Sequence, residues 1–294
     1  MEKPGNFQQN TQDKAEFQNT YFMHLLFVEK PQQPDNGAIG RALNQRFGDV
    51  DLVCPGPGLI SFAVKKYPVT YKDGVVPAQL VMTEVREFKQ DTIDDFARSQ
   101  LWDVQNGREI LDSCRYQVSI FDMMSAGLEY KERCELLMDW LEAAMELYPD
   151  CTAVWIAPAG KLFTAEMVRE HGVSREDRFV YFGVNARFFN IQGTDDQIVD
   201  TLGMYAVGLP DVQYHFHGLD PNRVVNHAYN VASYLFDRNA PVRSGETIDG
   251  LLNGNMSQEV QWRCQYEDAL IQPVRCVMDI CPGEYAAGNR EDGE

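Results

Sequence analysis

Two histidines one residue apart, in Tyr214-His215-Phe216-His217, have the types and spacing best suited to chemistry. On a strand, residues i and i+2 share a face, so both imidazoles project together and could bind one divalent metal. Asp211 would complete the set, with His227 behind it if the next helix folds back. That centre would make a metal-dependent hydrolase or lyase of His215, His217 and Asp211. The plainer reading of the same alternation puts Val212, Tyr214 and Phe216 in the core and leaves Gln213, His215 and His217 in water. Arg223, His227, Asn230 and Tyr234 recur at helical spacing in the following segment. They would line a groove, or simply form the outer face of a half-exposed helix. Asp200 reads first as a helix cap and second as a catalytic acid.

Other catalytic signatures fail. Pro158-Ala159-Gly160-Lys161 resembles the end of a phosphate loop, but Trp155 stands where the first glycine belongs and Leu162 replaces the hydroxyl residue. Gly56-Pro57-Gly58 has Ser61 at its third glycine position. No nucleophile elbow, zinc-protease helix or calcium loop occurs. Adjacent acids such as Asp94-Asp95 and Asp195-Asp196 point apart in regular structure and read as solvated surface. His24 reads as a satisfied core histidine. No cofactor is expected.

The elements that must position these residues are mixed. A first strand spans Tyr21–Val28 and a helix Ala38–Phe47, with Ile39, Leu43 and Phe47 on one side. Strands Leu52–Val53, Leu59–Val64 and Ala78–Val85 follow, then a helical segment within Thr92–Ser113 and a strand Tyr116–Met123. This β-α-β-β-α-β order resembles a ferredoxin-like split unit. Helix Leu128–Tyr148 is ended by Pro149, with Glu135 and Asp139 among the acids facing away from its apolar stripe. Next come strand Thr152–Ala157, helix Thr164–His171, strand Arg178–Phe189 and helix Pro221–Asp237. Val260–Tyr266 and Val274–Ile280 alternate as a hairpin turning near Ala269-Leu270, which a three-residue loop would close with Cys264 opposite Cys276. The expected fold is α+β with mixed or antiparallel sheets. Its expected parts are a disordered tail 1–20, an N-terminal portion 21–160, a C-terminal portion 161–281 and an acidic tail 282–294.

Charge narrows the partners. With 44 Asp and Glu against 26 Lys and Arg, the formal charge is −18, which argues against nucleic acid and anionic membrane surfaces. No apolar run reaches the roughly 20 residues of a spanning helix. The Gln-rich N-terminus lacks a basic and apolar leader, and seven cysteines form no C-x-x-C pair, so reduced thiols in a cytoplasm are expected.

Asp200-Thr201-Leu202-Gly203-Met204, Gly208-Leu209-Pro210-Asp211 and Ser244-Gly245-Glu246-Thr247-Ile248-Asp249-Gly250 resemble the bacterial family called Domain of Unknown Function 4261, over about residues 198–280. The resemblance implies a bacterial, cytoplasmic protein and no catalytic residue. Physically these motif residues look architectural: Gly208, Gly245 and Gly250 suit positive-φ turns, Pro210 pre-sets a turn, and Asp200 and Asp211 bond local backbone. The function expected is therefore non-enzymatic protein binding, with the acidic surface set against a basic partner; the metal-dependent hydrolase or lyase is the alternative.

Overall fold

The computed structural model describes residues 19–288 and divides the chain into two compact units between Gly183 and Val184. The expected N-terminal tail lies largely outside the described residues.

In chain order the first unit has β1 (Phe22–Phe27), α1 (Asn36–Phe47), β2 (Val50–Cys54), β3 (Leu59–Tyr71), β4 (Gly74–Thr83), β5 (Arg86–Glu87), α2 (Asp95–Arg98), α3 (Gly107–Ser113), β6 (Tyr116–Met123), α4 (Tyr130–Leu147), β7 (Ala153–Ile156), β8 (Lys161–Thr164), α5 (Ala165–Arg169) and α6 (Arg178–Gly183). Its strands form one antiparallel eight-stranded sheet in the order β2-β3-β4-β6-β1-β7-β8, with β5 beside β6. The apolar run of β1 is explained by its central place: Leu26 joins Phe88, Ile93, Leu111, Trp155 and Leu162, while Phe27 meets Tyr148 at the end of α4. Asp35 caps α1, and Ile39, Leu43 and Phe47 are its buried stripe, as the spacing requires. Buried Arg133 of α4 donates to Asp122 of β6 at 2.7 Å, and Asp122 also accepts the Tyr21 amide.

Several expectations are corrected. The strand expected at 178–189 begins at Asn185, and Arg178–Gly183 is helical. Phe179-Val180-Tyr181-Phe182 is an unbroken aromatic and apolar run, so it carries no period that separates helix from strand. The break expected between 160 and 161 would cut the β7–β8 ladder, in which Ile156 faces Lys161; the units part at 183 instead. Asp139, expected in water, is buried because Arg175 and Arg178 close over it at 2.7 and 2.8 Å. The strands named from residues 21–123 lie as β2-β3-β4-β6-β1, so β4 and β6, which the expected split unit would set on either side of β1, pair directly instead.

The second unit has β9 (Asn185–Asn190), β10 (Gln197–Leu202), β11 (Asp211–Phe216), α7 (Pro221–Arg238), β12 (Thr247–Leu252), β13 (Asn255–Asp268) and β14 (Cys276–Cys281). Its six-stranded sheet runs β12-β13-β14-β11-β10-β9 and is mixed, because β11 and β14 are parallel. Helix α7, with Asp220 as its cap, lies against β9, β10 and β11. The β13–β14 hairpin is present, but residues 269–275 form a longer connection, and Cys264 faces Ile280 while Cys276 faces Asp268. Residues 282–288 are no free tail: Ala286 bridges Phe216, and the His217 amide donates to Tyr285 O. Among the described residues no helix is long and apolar enough to cross a membrane.

Candidate functional site

Register places one polar row across five strands of the second sheet. Arg187 faces Asp200, Asp200 faces Gln213, Gln213 faces Asp279, and Asp279 faces Gln265. The residues between them, such as Val199, Tyr214 and Met278, make the opposite, apolar face. Arg187 binds Asp200 with two parallel bonds of 2.8 and 2.5 Å. Arg275 crosses the row, donating to Asp200 at 2.8 Å, to Asp211 at 3.0 Å and to three backbone carbonyls. Asp211 also accepts the Thr201 hydroxyl and the amides of Gly203, Met204 and Tyr205. Burial raises the Asp211 carboxyl above its ordinary range, against the pull of Arg275.

This assembly pairs two carboxylates with two guanidiniums, all buried. Such a neutral, closed network fixes strand positions and offers no group to a substrate. Asp200 therefore caps no helix: it sits within β10 as the shared acceptor of both arginines. Asp211 does cap, but across seven residues rather than locally, holding the 3-10 turn Met204–Val207. Gly203 and Gly208 bracket that turn at positive φ, and Pro210 is the buried residue before β11. Gly245 also has positive φ, whereas Gly250 does not. There a Cβ would stand 2.7 Å from Trp262 and Val260, so close approach is what demands glycine. Thr247 opens β12 and donates to Gln261.

The histidines are only partly brought together as expected. His215 and His217 do share a face, and Asp196, from the turn before β10, stands 3.8 Å from each. Asp211 is four residues from His215 along an extended strand, about 13 Å, and its oxygens are engaged elsewhere. His227 points away into the apolar face, with Nδ1 2.7 Å from Tyr214 Oη and Nε2 2.7 Å from Asp249 O. Because a carbonyl only accepts, Nε2 carries the proton and Tyr214 donates to Nδ1. Among the described residues no three His, Cys, Asp or Glu side chains are placed to hold one ion. The expected groove face is likewise divided: Arg223, Asn230 and Tyr234 are exposed and His227 is buried.

One surface feature escaped the sequence reading. In the first unit Trp102 is 59% exposed and Phe96 45% exposed. Trp102 Nε1 donates to Oε1 of buried Gln100, whose amide reaches Ser99, which in turn bonds Phe96 O. Arg98 ties the segment to Gln90, Ile93 and Asp112. In the same stretch of chain Asp91, Asp94, Asp95, Asp103, Glu109 and Asp112 are all exposed. Asp103 lies 3.5 Å from Lys161, whose amine is buried, lowered in pKa by that burial, and bonded to Tyr181 O. The signal in the sequence was the run of acids flanking Phe96 and Trp102; an aromatic in a weakly periodic segment reads by default as core.

No curated protein and no solved structure matches the chain. Residues 200–281 match the family model described as Domain of unknown function (DUF4261), a span from Asp200 in β10 to the end of β14. It takes in Asp200, Asp211 and Arg275 of the buried network, while Arg187 lies before it. The chain therefore carries a DUF4261 domain over residues 200–281.

Proposed function

We propose that the protein is a non-enzymatic interaction protein whose acidic surface receives a basic protein partner. The carrying observation is where the charge sits. The buried cations are Arg133, Lys161, Arg178, Arg187 and Arg275, and the buried anions Asp122, Asp139, Asp200, Asp211 and Asp279. These five and five cancel in formal charge, so among the described residues the excess of negative charge lies on side chains that are not buried. A surface of one sign steers an oppositely charged partner and repels polyanions. Immobilised protein, exposed to cell extract at low and at raised salt, is expected to retain a defined basic protein that salt releases. Retention equal to that on a polyglutamate matrix, or none, would count against this reading.

The same reading places the protein in a bacterial cytoplasm, which its seven free thiols support as to redox compartment. A ferredoxin-like core is proposed on a different strand set from the one read in the sequence. β1 and β4 flank β6 across α1, and β6 and β7 flank β1 across α4, which are two interleaved split crossovers. The metal-dependent hydrolase or lyase would require Asp196 in place of Asp211. Protein purified without chelator is expected to show no near-stoichiometric zinc, manganese or iron by plasma mass spectrometry. Metal that is present and is lost in a His215→Ala/His217→Ala variant would restore that reading.

A further inference from the structure

We infer that Trp102 is the contact point for an arginine or lysine side chain of the basic partner. The inference rests on the acidic-surface reading and deepens it by naming a site. An indole 59% exposed leaves a large apolar area in water, and tryptophan is enriched among residues that dominate interfaces. Its N–H is already spent on Gln100, so what it offers is its ring face. Gln100 is itself 5% exposed, which fixes the indole from beneath and lowers the entropy lost when a ligand stacks on it. A ring face attracts cations, most strongly planar guanidinium.

The surroundings select the sign of the ligand. Residues 91–112 hold six exposed carboxylates against Arg98 and Arg108, and Arg98 is paired with Asp112. Asp103, next to the ring, faces Lys161, but that amine is buried and projects no charge outward. An acidic segment around a cation-binding ring fits a basic side chain.

The test is calorimetric titration of the full chain with octaarginine at low salt, for wild type, Trp102→Ala, Trp102→Phe and, in the other unit, the exposed Glu259→Gln. Trp102→Ala is expected to weaken binding about tenfold, Trp102→Phe about threefold, and Glu259→Gln less than twofold. Solvent quenching provides an independent readout, because Trp140, Trp155 and Trp262 are buried and acrylamide reaches chiefly Trp102. Octaarginine should protect that emission. Salt-dependent binding that is equal in wild type and Trp102→Ala, or binding without protection, would overturn the Trp102 site and leave the acidic-surface reading standing. No binding by wild type at low salt would overturn both.

Discussion

Replacing Asp200 with alanine is expected to destabilise the second unit by about 3–5 kcal/mol, because it leaves Arg187 and half of Arg275 buried without their counter-ion. For a unit of about 100 residues this corresponds to a fall in melting temperature of at least ~12 °C. The magnitude decides between readings of the residue. Loss of a helix cap would cost about 1 kcal/mol, and loss of a catalytic acid in a solvated cleft would scarcely affect stability. A paired change, Arg187→Met with Asp200→Leu, removes both charges and leaves Arg275 with Asp211. That variant is expected to be more stable than Asp200→Ala alone, since an uncompensated buried charge is worse than none. Hydrogen exchange across β10 and β11, followed by mass spectrometry, localises the effect to this unit, where a global melt of two units would blur it. Unchanged protection in Asp200→Ala would show that the network is not what fixes these strands.

The elements with strong periods were legible in the sequence. Ile39, Leu43 and Phe47, and Val224, Ala228, Val231 and Leu235, mark the buried stripes of α1 and α7. What escaped reading was set by tertiary pairing. Asp139 looks like an outer-face acid until Arg175 and Arg178, far along the chain, cover it. After Arg178 the segment Phe179–Phe182 has no polar period, so only its packing makes it helix. The outer part of the β3–β4 hairpin was missed because Lys65, Lys66, Pro68 and Pro77 argue against a strand, yet Pro68 and Pro77 face each other at a register shift. At the site, His-x-His on a strand correctly gave a shared face. It could not give Asp196, because the turn before β10 is placed by the β9–β10 hairpin rather than by local spacing. The motif acids read as local caps, or as a catalytic acid and a metal ligand, because their partners Arg187 and Arg275 come from β9 and from the loop before β14, 13 and 75 residues from Asp200.

Mild acid is expected to weaken the fold through two histidines, half-buried His24 in the first unit and buried His227 in the second. Burial pushes the His24 imidazole down to about 4, while Nδ1 shares a 2.8 Å hydrogen bond with Ser119. Burial lowers His227 as well, in spite of its bond to Asp249 O. Unfolded, each would titrate near ~6.5. Below that pH the unfolded chain takes up a proton that the folded chain refuses, so stability is complete above pH 6.5 and falls as the pH drops. For His24 the fall ends near pH 4, where the folded form also protonates. Between pH 6.5 and 5 it amounts to about 2 kcal/mol, at about 1.4 kcal/mol per unit. The Asp211 carboxyl, raised by burial, works the other way and adds stability as it protonates, while Glu142 contributes in a lower window. Burial alone would raise Glu142, but Arg178 and Arg46 hold it below its ordinary value, so its pairing is lost only in stronger acid. The loss of stability from pH 7 to pH 5 is therefore chiefly the histidines' own. Urea unfolding of wild type is expected to show a lower midpoint at pH 5 than at pH 7, and His24→Gln to remove about half of that difference. Equal shifts in wild type and His24→Gln would mean that His24 does not carry the effect. A shift that persists in His24→Gln and vanishes in His227→Gln would assign it to the second unit, where the proton would have to enter between Tyr214 and Asp249.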